Sequence, residues 1–181
     1  MTLFQTMTLR RSLAVSITFI FLSTASTSVL GAQASRSLGT GVVLLGGAAQ
    51  YDLSGTGTTG VISLRLDHMP KRWLVTEASL GYLHPPMQFG GRETLLIPEG
   101  QLQVQLPFNY VMPYLGVGGG WVFARGDGRS ERTGTASVAT GLRVVLPNAP
   151  ISLQAELRVR GIGKSFSGST AEWTGGLRWR L

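Results

Sequence analysis

Cysteine is absent from the 181 residues, which excludes a disulfide framework, a thiolate metal site, a cysteine nucleophile and a lipid-modified N-terminal cysteine. Lysine is scarce as well: beyond residue 34 only Lys71 and Lys164 occur. Charged residues make up 14% of the chain, too few for a segment held open by self-repulsion. After residue 34 no apolar run approaches the roughly 20 residues that a membrane-crossing helix needs. The basic excess, 16 Lys and Arg against 9 Asp and Glu for a net charge of +7, is spread as single arginines inside alternating segments. It forms no basic patch, so nucleic acid is not an expected partner.

Glycine, by contrast, is abundant at 25 copies. It weakens helix interiors and suits extended chains whose backbones approach closely. The N-terminal segment reads differently from the rest. Arg10 and Arg11 precede the apolar run Leu13 to Leu22, and the small-residue sequence Ala32-Gln33-Ala34 closes it, the layout of a secretory signal cleaved after Ala34. The expected division is a signal peptide over 1–34 and one barrel domain over 35–181. Cleavage removes two basic residues, leaving 14 against 9, or +5.

In the mature chain apolar residues recur at every second position. In Gln101-Leu102-Gln103-Val104-Gln105-Leu106 each odd position is polar and each even one apolar, a division that a helix would scatter around its circumference. Ile151, Leu153, Ala155, Leu157 and Val159 oppose Ser152, Gln154, Glu156, Arg158 and Arg160 in the same way, and Ile62, Leu64 and Leu66 oppose Ser63, Arg65 and Asp67. Segments of this kind fall at 40–53, 60–68, 73–84, 94–106, 113–124, 134–146, 150–161 and 171–181. That is an even number, as a closed antiparallel barrel requires. The second, fourth and sixth connections contain proline and the others are rich in Gly, Ser, Thr or charge. The expectation is short periplasmic turns at one rim and outer loops near 54–59, 85–93, 125–133 and 162–170 at the other.

Alternation alone does not say which face is wet, because a soluble barrel has the same period with the opposite sense. The scarcity of lysine, the usual guard of solvated strands, favours lipid outside. The polar set Arg65, Glu77, Glu99, Arg143, Glu156, Arg158 and Arg178 is then expected to line the lumen and neutralise itself, in an interior just wide enough for side chains to fill. Tyr51, Tyr82, Trp121, Phe123 and Trp173 fall near the outer ends of apolar faces and Trp179 near the opposite rim, the placement of interfacial girdles. Gly116 to Gly120 suits tight curvature or a bulky neighbour.

Pro113-Tyr114-Leu115-Gly116-Val117-Gly118-Gly119-Gly120-Trp121 resembles a strand common in small OmpA/OmpX-like outer-membrane β-barrels. Thr174-Gly175-Gly176-Leu177-Arg178-Trp179-Arg180-Leu181 resembles their C-terminal assembly signal, with Gly176, Trp179 and Leu181 as its marked positions and Leu181 standing where an aromatic residue is more usual. The resemblance implies an all-β, up-and-down transmembrane barrel in the outer membrane of a Gram-negative bacterium, reached by export through the inner membrane. Its implied partners are outer-membrane lipid, lipopolysaccharide and the barrel-assembly machinery, and its implied state is a monomer. It does not select among adhesive, structural and other roles.

Catalytic, metal and cofactor chemistry find little support. His68 and His84 fall at opposite rims, which argues against a shared metal. The glycines at 116–120 lack the Lys-Ser/Thr of a phosphate loop. A lipid A-modifying enzyme would need a constellation such as His84, Ser79 and Glu77, but strand parity sends His84 outward and the other two inward. The sequence therefore leads to a non-enzymatic envelope or loop-mediated interaction role, with the lipid A-modifying enzyme and a soluble periplasmic lipid-binding barrel as the alternatives.

Overall fold

A computed structural model describes residues 39–52, 57–86, 91–126, 129–163 and 168–181. The expected signal peptide lies outside them. Eight strands run in chain order: β1 (Gly39–Tyr51), β2 (Gly57–Lys71), β3 (Leu74–Leu83), β4 (Thr94–Gln105), β5 (Val111–Gly126), β6 (Arg129–Val145), β7 (Ile151–Ile162) and β8 (Gly168–Arg180). Each pairs antiparallel with its sequence neighbours, and β1 pairs with β8 from Gly41↔Arg180 to Tyr51↔Thr170, so the sheet closes on itself. Closure removes the unpaired edges that an open sheet of this composition would expose.

Period-two patterning sets the sense of every strand. On β7, Ser152, Gln154, Glu156, Arg158 and Arg160 are buried while Leu153, Leu157 and Val159 are exposed. The same inversion holds on β4, where Gln101, Gln103 and Gln105 are buried and Leu102 and Val104 exposed. One rim carries the proline-containing turns, and two of these are formed with asparagine in the left-handed region, Asn109 at φ 42° and Asn148 at φ 62°. Asparagine tolerates that conformation better than most residues. Pro70 sits where the β2–β3 register shifts between His68 and Lys71, consistent with the ladder hydrogen bond that proline cannot give.

The eight expected segments coincide with the eight strands, but several ends move. β2 runs on through Pro70 to Lys71, and Gly168, Ser169 and Thr170 join β8. The largest change is at 125–133, expected as an outer loop. Arg125↔Ser130 and Gly126↔Arg129 are paired, so only residues 127 and 128 connect β5 to β6. Asp127 and Gly128 themselves lie outside the described residues; in sequence, Asp-Gly is a favoured dipeptide between two paired strands.

Candidate functional site

The polar inward faces of the strands meet in one network along the lumen. Toward the proline rim Asp67, on β2, accepts a forked pair from Arg178 of β8, Nε to Oδ2 at 2.7 Å and Nη2 to Oδ1 at 2.8 Å. It also accepts from Arg143 Nη2 at 3.2 Å. Gly41 makes this possible, since a Cβ there would stand 2.6 Å from Cζ of Arg178. Arg143 further donates to Gln105 Oε1 and Gln154 Oε1, both at 3.2 Å.

Tyr114 carries the network inward. Gln154 Nε2 donates to its hydroxyl at 2.8 Å, and the hydroxyl donates to Glu156 Oε2 at 2.7 Å. Glu156 receives Nη1 and Nη2 of Arg65 at 2.8 and 2.9 Å and Nε of Arg158 at 2.9 Å. Glu77 accepts from Arg65 at 3.3 Å, Arg158 at 3.2 Å and Gln103 at 3.0 Å. Beyond these, Glu99 takes Arg160 Nε at 2.9 Å, pairs with Arg158 Nη1 at 3.3 Å and accepts from the hydroxyl of Ser137, while Glu172 pairs with Arg160 Nη1.

The structure places all seven residues of the expected lumen set in this network. It adds Asp67, Arg160 and Glu172, so that among the described residues the buried charges are five arginines and five carboxylates. Strand parity already pointed to the three additions: Asp67 shares a face with Arg65, Arg160 with Arg158, and Glu172 with Arg178. Exact neutrality matters because an unpaired ion in a low-dielectric interior costs several kcal/mol. The glycines of β5 are part of the same device. A Cβ at Gly116 would stand 2.9 Å from Cγ of Gln103, and one at Gly118 would stand 2.9 Å from Oγ of Ser137.

A second layer was not anticipated. At the loop end the inward positions turn apolar, and Ala49, Val61, Leu83, Leu95, Ile97, Val122 and Ile162 form one buried cluster above the ion pairs. Alternation identifies which residues share a face but not at which level the chemistry of that face changes. Tyr51 belongs with this inner layer. It is 3% exposed and its hydroxyl donates to Pro86 O at 3.0 Å, which corrects its expected place in an outer girdle. The error comes from parity at a strand end, where Tyr51 follows the inward series Val43, Leu45 and Ala49.

The other girdle residues face outward. Tyr82, Trp121, Phe123, Trp173 and Trp179 are 44, 50, 40, 49 and 37% exposed. At the C-terminus Trp179 and Leu181 share the outward face, while Gly176 lies against β1, where a Cβ would come 2.9 Å from Cα of Leu45. His84, Ser79 and Glu77 are not brought together. Ser79 and Glu77 are buried in the lumen, whereas His84 stacks on Tyr82 with ring centroids 6.5 Å apart and has Nδ1 3.1 Å from Thr94 Oγ1. His68 sits at the other rim with Thr40. Among the described residues no group of three or more His, Cys, Asp or Glu is placed to hold a metal.

No protein-family model and no curated protein sequence matches the chain. Solved structures do. The chain is similar to Neisserial surface protein A at 16% identity, with a TM-score of 0.68 over 78% of this chain and 97% of that one. It is similar to Ail, the attachment invasion locus protein of Yersinia pestis, at 16% identity and a TM-score of 0.53 over 80% and 99%. It is also similar to the outer membrane enzyme PagL at 12% identity and a TM-score of 0.51 over 78% and 99%. The chain thus has the fold of the small eight-stranded outer-membrane β-barrels, the group that its glycine-rich fifth strand and its C-terminal residues resemble.

Proposed function

We propose that the protein is an integral, non-enzymatic barrel of a Gram-negative outer membrane, inserted as a monomer, that contributes to the envelope or presents its loop rim to ligands and surfaces. The observation that carries this reading is the inverted distribution of polarity. Leu44, Leu64, Leu102, Val117, Val138 and Leu153 are 46, 53, 47, 58, 53 and 46% exposed, while the five arginines of the lumen are 3% exposed or less. In water that arrangement forfeits the hydrophobic contribution of the whole exterior. In a bilayer it satisfies every strand, because closure pairs the backbone and lipid takes the apolar side chains. A soluble lipid-binding barrel would need the opposite sense.

Lipid, the barrel-assembly machinery and export through the inner membrane belong to this reading. The leader over 1–34 supplies the address, and the outward Trp179 and Leu181 next to the seam glycine Gly176 fit a recognised C-terminal strand. A water-filled pore is not part of it. Ion pairs fill the middle of the lumen and the apolar layer covers them at the loop end, in keeping with the narrow interior of an eight-stranded barrel.

Cell fractionation tests the proposal. The protein should be recovered with outer-membrane vesicles as a chain that has lost residues 1–34. It should migrate faster on a gel before boiling than after, and show no stable conductance in planar bilayers. Recovery as a water-soluble periplasmic monomer would overturn it.

A further inference from the structure

The exterior of the barrel is not the same all the way round at its loop rim. Parity turns Arg125 of β5 and Arg132 of β6 outward, alternating with the inward Val122 and Thr135. Arg125 stands opposite Ser130 and Arg132 opposite Phe123, so the two guanidinium-bearing residues are diagonal neighbours roughly 7–8 Å apart at their Cα atoms. Beneath them lie aromatic rings. Arg132 Cζ is 5.2 Å from the centroid of Trp121 and 5.6 Å from that of Phe123, which orients its charge over the rings. Thr94 on β4 pairs with Arg125 and places its hydroxyl beside His84.

Among the described residues the nearby acids are turned elsewhere. Glu131 has the inward parity of Thr133 and Thr135, and it helps burial push the carboxyl of Glu93 above its usual range. Across β7, β8, β1 and β2 the corresponding outward positions are Gly161, Ser169, Ala171, Gln50, Thr58 and Gly60. Among the described residues that half of the rim carries no cation on its outer face, and its outward aromatic ring is Trp173 of β8, with no arginine beside it.

We infer that the outer face of β3 to β6 at the loop rim is a binding site for a phosphorylated saccharolipid of the outer leaflet, with Arg125 and Arg132 on phosphate, Thr94 and Ser130 on sugar hydroxyls, and Tyr82, Trp121 and Phe123 against acyl chains. The inference rests on the outer-membrane reading for the leaflet that this rim meets. Two adjacent arginines with hydroxyl neighbours suit a headgroup that bears phosphate on sugar. A glycerophospholipid offers one phosphate and would leave part of this array without a partner. The apolar rings directly below are what distinguish an amphiphile from a soluble anion.

The test uses the processed barrel folded in detergent micelles, with bound lipid counted by native mass spectrometry during titration. Bis-phosphorylated lipid A should bind at least about tenfold more tightly than dephosphorylated lipid A, the difference expected when charge-assisted hydrogen bonds are lost. The double variant R125Q/R132Q should lose that preference, R125K/R132K should keep most of it, and Gln50→Ala on the opposite half of the rim should leave it unchanged. The heat-dependent gel shift identifies the folded variants, and the single Arg125→Gln and Arg132→Gln variants serve if the double one does not fold. Unchanged lipid A binding in a folded glutamine variant, or equal binding of phosphatidylglycerol, would overturn the inference. Failure of the outer-membrane reading is seen separately, in fractionation of cells, because the micelle measurement does not depend on location.

Discussion

Arg65 of β2 and Glu156 of β7 are 91 residues apart in sequence and form a two-pronged ion pair across the lumen, at 2.8 and 2.9 Å. Both side chains are shielded from solvent, and each has a second opposite charge: Glu77 for Arg65 and Arg158 for Glu156. The pair thus ties two walls of the cylinder together while the surrounding charges cancel.

Removing both members should cost less than the two single losses added together. Arg65→Met leaves Glu77 and Glu156 short of a cation, and Glu156→Gln leaves Arg65 and Arg158 short of an anion. Either change should destabilise the barrel by about 3–5 kcal/mol, the range for breaking a buried pair. The double variant keeps the lumen neutral and should lose clearly less than the sum of the two. Urea unfolding in lipid vesicles, followed by tryptophan emission, gives the cycle. Additive losses would mean that neutrality of the network is not what holds these walls.

The alternation of Gln101 to Leu106 and Ile151 to Arg160 was enough to assign faces, strand number and closure, because a barrel surrounded by lipid writes its two environments onto odd and even positions separately. The charge network was legible for the same reason, down to residues such as Asp67 whose parity matched a neighbour already assigned. Two kinds of information were missing. Depth along the axis is not periodic, so nothing in β3 announced that Leu83 would join an inner apolar layer while Glu77 on the same face joined the ion pairs. Hairpin extension was the other. Ser130, Glu131 and Arg132 are exposed whichever face they take, and their unbroken polarity hides strand pairing which a membrane-embedded segment displays plainly.

The glycines of β5 and β6 should divide by what surrounds them. A Cβ at Gly120 would lie 2.8 Å from Cα of Glu99 and 3.0 Å from the carbonyl carbon of Pro98, atoms of the β4 backbone that cannot turn aside. At Gly134, opposite Trp121 on β6, a Cβ would meet nothing within 4 Å. Gly120→Ala should therefore cost roughly 1–3 kcal/mol through overpacking. Gly134→Ala should be neutral or gain up to about 1 kcal/mol by restricting the unfolded chain. The comparison of urea midpoints for the two variants reads this directly, and equal midpoints would remove the close-approach explanation for the glycine run.

The sense of the polarity inversion can be read from tryptophan, because all four indoles stand on one side of the wall. Trp73, Trp121, Trp173 and Trp179 are 48, 50, 49 and 37% exposed on the exterior of the isolated barrel. In vesicles of brominated phospholipid their emission should be quenched strongly, with Trp121 and Trp173 reporting from the loop-side half of the barrel and Trp73 and Trp179 from the proline rim. Acrylamide in the aqueous phase should quench them only weakly. Variants retaining a single tryptophan, the others replaced by phenylalanine, would give each position against bromine placed at different depths along the acyl chain. Trp73 and Trp179, close to the rim of short turns, should respond best to bromine near the headgroup, as amphipathic rings of an interfacial belt do. If acrylamide quenched all four efficiently while brominated lipid did not, the apolar exterior would not be facing hydrocarbon. The leucines and valines of the even positions on β4 and the odd positions on β7 would then need another cover.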